Sequence, residues 1–502
     1  MLLVKISLNG DWQSMSSLKK QAVNSAKWTT ARTVITTITG PLLLMVKTRY
    51  LTSGEFGVMA IINIFINLIA VLENFGFNTA IVRSDKVTKD ERSSLFMLQI
   101  ITSITLAGLL VIVSPYIASI YDMGSLASLL PILSLSILFN SPVILFTAFL
   151  EKEFHFKELS IIQILREITL LVSTTVLFQF MENHLLAVVI GQIIAVGFMA
   201  ISIIGVSFRY DLLHLRLHFR FSEVKPFFRF GMVIAAKQML IQITHNIDEL
   251  IIGLFLDKSI LGYYHFAKNL LNKFRQILTM SFSKVLLPIL SKVKNEKIRL
   301  FNGYKQISIY IAAVTLPVFT GIALTTNSFI PILFEERWLA SADFFIILAI
   351  GYIPYIISVT IGTNLLYSIN KPRLALQIDT ANNLTYIVLL FLLSWAGAGI
   401  YTIVLLYGLY LLVKSLIIQH FVYKEFGRSL WDYLKMFKGL AISTIIMITV
   451  VLGAQVLILN NLHVLIDLVI SIVLGALSYT VSLYLIERRT FNDLLGMVMN
   501  RF

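Results

Sequence analysis

Residues 227–256 read FFRFGMVIAAKQMLIQITHNIDELIIGLFL, and after a short turn residues 261–290 read LGYYHFAKNLLNKFRQILTMSFSKVLLPIL. Each stretch is long enough to cross a bilayer as a helix, since about 20 residues span the hydrocarbon core. Each is also heavily charged for that task. The first carries Lys237, Gln238, Gln242, His245, Asp248 and Glu249; the second carries Lys268, Lys273, Arg275 and Lys284. A charge at the bilayer centre costs roughly 2.5–3.5 kcal/mol even on the lenient insertion scale. Two neighbouring spans with this many polar groups must turn them toward a wet interior or toward each other. Their spacing favours one wet face. Gln238, Gln242, His245 and Glu249 follow i, i+4, i+7, i+11, with Lys237, Thr244 and Asp248 alongside, and Lys268, Asn272 and Arg275 follow i, i+4, i+7 on the next helix. For any single residue the plainer reading is an ion pair that only holds helices together.

The rest of the chain sets the class. Of 502 residues, 57% are hydrophobic and 14% charged, and the mean hydropathy is +0.84, whereas soluble domains carry about 25% charged residues. Long apolar runs recur from end to end, as in a polytopic helical membrane protein. The period-2 alternation of an outer-membrane barrel is missing from runs such as 100–113 and 442–459. The residues before Ser16 hold no long apolar region followed by a small-residue cleavage site, so no removable signal peptide is expected. With no cysteine, disulfides, thiolate nucleophiles and thiolate metal sites are excluded.

Fourteen spans are predicted, at roughly 24–47, 57–82, 94–114, 126–149, 158–181, 185–207, 227–255, 261–290, 305–326, 341–367, 374–394, 399–420, 438–459 and 464–486. The connections alternate in charge. The N-terminus, 83–92, 150–158, 208–230, 291–305, 368–374, 421–438 and the tail from 487 hold 29 Lys and Arg, and the intervening connections hold 4. This strict alternation predicts that both termini are cytoplasmic. It also explains the net charge of +14 without a nucleic-acid surface, which would gather the cations on one domain.

Eight cations remain inside the spans: Arg32, Arg166, Lys237, Lys268, Lys273, Arg275, Lys284 and Lys414. The acids there are Glu73, Glu167, Asp248, Glu249 and Asp379, with Asp467 near an end. A net-basic cavity with low-dielectric walls favours an anionic ligand, so the interior reads as the polar cavity of a membrane transporter. The chain also repeats itself. Leu51-Thr-Ser-Gly-Glu-Phe-Gly57 and Leu256-Asp-Lys-Ser-Ile-Leu-Gly262 share the pattern L-x-x-x-x-(F/L)-G. Each follows a span and opens the next, six spans apart, which predicts two parallel repeats about an axis along the membrane normal. Two six-helix lobes would then surround a central cavity, with two C-terminal helices appended.

Catalytic templates are missing: no phosphate loop, no H-E-x-x-H, no G-x-S-x-G elbow and no long soluble domain. No enzyme activity, metal or cofactor is expected. Without a nucleotide site, energy would come from an H+ or Na+ gradient, the membrane potential or the substrate's own gradient. The basic connection 208–230, with Phe208, Phe219, Phe221 and Phe227, reads as an ordinary positive-inside linker.

Short motifs run along the chain in order: Leu18-Lys-Lys-Gln-Ala-Val23 with Ala26-Lys-Trp28, Leu51-Thr-Ser-Gly-Glu-Phe-Gly57, Phe230-Gly231, Asn246-Ile-Asp-Glu-Leu-Ile-Ile-Gly253 and Leu261-Gly-Tyr-Tyr264. Leu287-Pro-Ile-Leu-Ser291, Phe334-Glu-Glu-Arg-Trp338 and Asn370-Lys-Pro372 complete the set. By these motifs, from about Ser16 to the end, the chain resembles the polysaccharide-transporter branch of the multidrug/oligosaccharidyl-lipid/polysaccharide (MOP) exporter superfamily, in particular Wzx-type lipid-linked oligosaccharide flippases of the colanic-acid-exporter kind. Thr52-Ser53-Gly54 lacks the proline usual in that turn, and residues 1–14 precede the usual family start, which makes Met15 a candidate initiator.

The resemblance implies an all-α fold of the MOP/MATE kind. Its parts would be a cytoplasmic segment 1–23, an N-lobe 24–207, a linker 208–230, a C-lobe 231–420, two further helices within 438–486 and a cytoplasmic tail 487–502. It implies a multi-pass protein of the bacterial inner membrane that moves undecaprenyl-pyrophosphate-linked oligosaccharides to the outer leaflet. Arg32, Arg166, Lys237, Lys268, Lys273 and Arg275 are the expected cationic lining for the diphosphate. Gln238, Gln242, His245 and Asn272 would face the sugars, and Glu73, Asp248 and Glu249 are the candidates for H+ or Na+ coupling. A monomer is expected, with a polysaccharide polymerase or glycosyltransferase as partner. The alternative is an ion-coupled exporter of small drugs on the same fold, whose cavity would be more apolar and acidic to suit cations.

Overall fold

The computed structural model describes residues 12–84, 87–213, 216–292, 296–457 and 463–499, and side chains within 24–279 and 296–496 of these. Lys284 and the motifs 18–23 and 287–291 lie outside the described side chains. All regular structure among the described residues is helical. The helices are α1 (Trp12–Tyr50), α2 (Ser53–Asn74), α3 (Phe77–Arg83), α4 (Lys89–Ile120), α5 (Leu126–Lys152), α6 (Phe156–Phe180), α7 (His184–Arg209), α8 (Phe221–Phe255) and α9 (Lys258–Lys292). After them come α10 (Lys297–Phe334), a 3-10 turn (Glu336–Ser341), α11 (Ala342–Ser368), α12 (Pro372–Trp395), α13 (Ile400–Glu425), α14 (Leu430–Lys435), α15 (Lys438–Leu457), α16 (Val464–Ile486) and α17 (Arg488–Met499).

Each of the fourteen expected spans coincides with one of these helices, the second being split into α2 and α3. Twelve of the resulting segments are long and apolar enough to cross a membrane. The two expected spans outside that set are α8 and α9, 35 residues each, whose recurring polar residues lower their hydropathy. Local chemistry sets the ends. Thr88 and Glu91 form a reciprocal capping box on α4, and Thr52 and Glu55 bond in the same way at the start of α2, satisfying amides that a helix start leaves open. The break between α2 and α3 falls at Phe75 and Gly76, both left-handed at φ 44° and 68°.

The chain forms two compact units. Unit 1 comprises residues 1–51 and 61–246, and unit 2 comprises 52–60 and 247–502. The division falls inside α2 and inside α8, so the polar series of α8 does not belong to one body: Lys237 to His245 lie in unit 1, Asp248 and Glu249 in unit 2.

Unit 1 is centred on an aromatic and aliphatic core of Phe77, Ile81, Leu95, Phe146, Phe149 and Ile203. The start of α8 closes against the α2–α3 break at Gly231. A Cβ there would sit 1.9 Å from the Phe75 carbonyl oxygen, so only glycine fits. The connection before α8 is strapped to α4 by two serine hydroxyls, which accept from the amides of Arg216 and Arg220.

In unit 2 the repeated turns meet each other. A Cβ on Gly57 would lie 2.0 Å from the Lys258 carbonyl oxygen, and one on Gly262 would lie 1.7 Å from that of Ser53. The seventh residue of each repeat thus touches the third residue of the other. The contact between the two turns is reciprocal. Phe56 packs edge-on against Trp338 and Phe266 beside it. The last two spans belong to unit 2 as well: Tyr479 of α16 donates to the Ala313 carbonyl of α10 at 3.0 Å.

Candidate functional site

The densest polar cluster of unit 2 forms where the last turns of α8 meet α9. Lys268 is 1% exposed and lies 2.8 Å from Asp248 and 3.1 Å from Glu249, both also buried. Tyr264 donates its hydroxyl to Asp248, and His265 Nδ1 lies 2.8 Å from the other Glu249 oxygen. The spacing on α9 places Tyr264, His265 and Lys268 on one face, within reach of the adjacent carboxylates of α8. The cluster is closed, with one ammonium and one imidazole facing two carboxylates. Asp248 and Glu249 are both buried in it.

One or two turns further along α9 the balance changes. Arg275 is half-buried, with Nε donating to Asn272 at 3.1 Å and its guanidinium 5.9 Å from the centre of the Tyr355 ring. Asn272 also accepts from Tyr352 at 3.0 Å. Neither Arg275 nor the half-buried Lys273 ion-pairs with a carboxylate among the described residues. A second pair, the buried Lys414 with the partly exposed Asp379 at 3.0 Å, lies between α13 and α12. Tyrosines join these parts: Tyr386 stacks on Tyr410 at 4.4 Å, and Tyr352 and Tyr386 meet Tyr407 edge-on. The Lys268 and Lys414 ammonium groups lie over the Tyr407 and Tyr410 rings at 5.7 and 5.6 Å. Phenol faces suit cations, so each lysine is held from two sides.

Unit 1 contains a buried carboxylate of another kind. Glu73, in the last turn of α2, is 1% exposed. Ser103 donates to one oxygen at 3.0 Å and Asn140 to the other at 2.9 Å. Gln99 donates to the Glu73 backbone carbonyl at 3.1 Å. The buried Oδ1 of Asn74 and Oε1 of Gln99 have no hydrogen-bond partner among the described residues. No cation pairs with Glu73 among those residues, and two residues on lies the α2–α3 break.

The six expected cations therefore divide. Lys268 and Arg166 are neutralised, the latter by its neighbour Glu167. Lys268 in particular, expected as an open phosphate ligand, is instead sealed between two carboxylates, because α8 brings Asp248 and Glu249 onto its face of α9. Arg32 donates to the neutral Gln163 at 2.5 Å and has no ion pair among the described residues; Lys237 is exposed. Of the polar series, Gln238 and His245 are exposed and Gln242 is half-buried in unit 1, while Asn272 sits in unit 2 beside Arg275. Tyr264, His265, Tyr352, Tyr355, Tyr386, Tyr407 and Tyr410 are site members that the sequence reading did not assign, and Asp379 and Lys414, counted there as interior charges, pair with each other. The signal available was the helical spacing of tyrosine with lysine, Tyr264 and Lys268 at i, i+4 and Tyr407, Tyr410 and Lys414 at i, i+3, i+7. No group of three metal-ligating side chains occurs among the described residues.

Comparison with known proteins places this architecture. A family model described as "Polysaccharide biosynthesis protein" matches residues 46–343. The chain is 28% identical over 407 residues to the teichuronic acid biosynthesis protein TuaB of Bacillus subtilis, covering 80% of this chain and 82% of that one. It is 25% identical over 324 residues to the lipopolysaccharide biosynthesis protein WzxC of Escherichia coli, covering 64% and 65%. In fold it is similar to the lipid II flippase MurJ in an inward closed conformation, with a TM-score of 0.75, 18% identity and coverage of 93% and 99%. It is also similar to an inward-facing multidrug resistance MATE transporter of the MOP superfamily, with a TM-score of 0.54, 12% identity and coverage of 80% and 94%. The expected all-α, MOP-type fold is borne out by these likenesses. The chain is thus a multi-pass membrane protein, and it belongs to the polysaccharide biosynthesis protein family.

Proposed function

We propose that this chain is a flippase of surface-polysaccharide synthesis. It moves oligosaccharide repeat units carried on undecaprenyl pyrophosphate from the cytoplasmic to the outer leaflet of the bacterial inner membrane by alternating access, with both termini cytoplasmic. The observation that carries this reading is the charge distribution along α9. Lys268 is cancelled by Asp248 and Glu249, whereas Lys273 and Arg275 remain half-buried with no carboxylate on them among the described residues. A half-buried Arg with a free fork selects phosphate oxygens, and a diphosphate brings the anionic charge that such a site lacks. Arg32, with a neutral partner, is the corresponding cation of unit 1. Asn272 and the tyrosines Tyr352 and Tyr355 beside Arg275 offer the hydrogen bonds and flat faces that sugars take.

For coupling, Glu73 is the better candidate. Asp248 and Glu249 are occupied by Lys268 and His265, while Glu73 is held only by neutral donors, an arrangement that tolerates either a proton or a monovalent cation. A polysaccharide polymerase or glycosyltransferase would act before or after the translocation step.

The deciding experiment follows exposure of the headgroup of a fluorescent undecaprenyl-diphosphate oligosaccharide in proteoliposomes. Protein-dependent, saturable exposure is expected, and Arg275→Ala should abolish it at unchanged protein level. Undiminished exposure in that variant removes Arg275 from the path. Export of a cationic dye under a proton gradient, with no lipid exposure, would replace this reading with a drug exporter.

A further inference from the structure

A separate basic pocket lies in unit 2 at the end where α13 stops and α15 begins. About 350 Å³ in volume, it is lined by Lys305 of α10, by Arg428, and by Asp432 and Lys435 of α14. Its floor is rigid. Phe301 meets Tyr423 edge-on at 5.2 Å, Tyr423 meets Tyr433 at 5.4 Å, and the Tyr433 hydroxyl is 2.5 Å from that of Ser358. The rim is equally fixed. Gly427, left-handed at φ 67°, turns the chain out of α13, and Ser429 and Asp432 cap α14 reciprocally. That cap takes up the one acid, whose Oδ2 accepts from both the amide and the hydroxyl of Ser429 at 3.0 Å. Lys305, Arg428 and Lys435 make no ion pair among the described residues. Three cations against one occupied carboxylate leave the pocket about two charges positive.

The surroundings indicate what covers it. On the outward side of α14, Trp431 is 62% and Leu434 42% exposed, and the Lys435 ammonium lies 5.7 Å from the centre of the Trp431 ring. α14 joins the ends of two membrane-spanning helices, so it sits at the level where headgroups begin, and Trp is the residue that favours that level. Cationic pockets between spans at this depth suit anionic headgroups. We infer that this pocket binds the phosphate of an anionic phospholipid, phosphatidylglycerol in kind, with Arg428, Lys305 and Lys435 around the phosphodiester and the acyl chains beside Trp431 and Leu434. The leaflet, at the Lys/Arg-rich end of the spans, rests on the orientation proposed above; the site itself rests only on the chain spanning a membrane.

The test uses the full-length protein in phosphatidylcholine nanodiscs with rising fractions of dibrominated phosphatidylglycerol. Quenching of Trp431 is read as the difference between the protein and Trp431→Phe. Half-quenching is expected at a several-fold lower fraction than with dibrominated phosphatidylcholine. Lys305→Gln, Arg428→Gln and Lys435→Gln together should remove that preference, while Lys305→Arg with Lys435→Arg keeps it; Arg428→Gln alone, on the exposed rim, serves if the triple variant fails to fold. Equal half-quenching by the two lipids, or a preference that survives neutralisation, overturns the inference. So does loss of the preference in inorganic phosphate but not in chloride of the same ionic strength, which would assign the pocket to a free anion. Both leaflets of a nanodisc carry the probe, so a protein that keeps this preference but fails to flip oligosaccharide overturns the proposed function alone.

Discussion

Each unit buries a carboxylate site, and the two are neutralised in different ways. In unit 2, Asp248 and Glu249 face the Lys268 ammonium and the His265 ring, each within about a hydrogen bond's length. In unit 1, Glu73 is equally buried but meets only a hydroxyl and a carboxamide. Opposite charges in a low-dielectric interior lock one another, and moving a proton or ion into such a set means first breaking it. A carboxylate held by neutral donors can accept a proton without displacing a partner. The two sites therefore differ in what they tolerate, and the proposal above gives the first the task of holding helices together and the second that of responding to ions.

The largest expected effect breaks the locked side. Lys268→Met strands two carboxylates in a buried site, and removing one partner of a buried pair costs about 3–5 kcal/mol. Thermal unfolding of the solubilised protein should show a marked fall or outright loss of folded protein. Adding Asp248→Asn and Glu249→Gln should recover much of it, and no recovery would mean that Lys268 contributes through its packing instead.

Next in size is the backbone contact between the repeats. Gly262→Ala drives a methyl group into the Ser53 carbonyl, and overpacking of this kind costs about 1–3 kcal/mol. Gly231→Ala presses on the Phe75 carbonyl in unit 1 in the same way. An unchanged midpoint in both would show that these contacts open without cost.

Glu73→Gln tests the responsive side. It keeps the size and most of the hydrogen-bonding capacity of Glu73, so the melting midpoint should barely move, while dependence of transport on the imposed H+ or Na+ gradient should vanish. Asp248→Asn with Glu249→Gln should do the reverse, lowering stability and leaving gradient dependence intact. Exchanged outcomes would exchange the two assignments.

The smallest effect concerns the strap before α8. The Ser94 hydroxyl, then His218, hold the Glu223 carboxyl below its usual range. A lowered folded-state pKa stabilises fully above the ordinary carboxylate value, about 4.3, and that contribution fades as the pH falls through the lowered value. Ser94→Ala should therefore cost a little stability at neutral pH, with a gap to the parent that closes in acid. A gap independent of pH would assign the loss to the Arg220 amide, which Ser94 also holds.

Much of this molecule was legible in its residues. The positions of twelve apolar helices follow from runs of apolar side chains, because the bilayer accepts little else, and the split of charged residues among the connections gives an orientation to test. The L-x-x-x-x-(F/L)-G turns announced a repeat, and the structure brings their glycines into mutual contact. The polar series on α8 was legible as a face, but not its division at residues 246 and 247. The net-basic interior could be counted, yet not which cations are already matched.

What the sequence determined by itself is the class, the spans and the chemical character of α8 and α9, since local hydropathy and helical periodicity act over a few residues. What only the tertiary structure decided is which charges cancel. Lys268 finds Asp248 twenty positions away on another helix, Lys414 finds Asp379, and Glu73 finds no cation among the described residues. Helical spacing fixes which side chains share a face, but which face meets which is set by the packing of whole helices. Charges about two turns apart on the same helix can thus end in opposite roles, Lys268 sealed and Arg275 open.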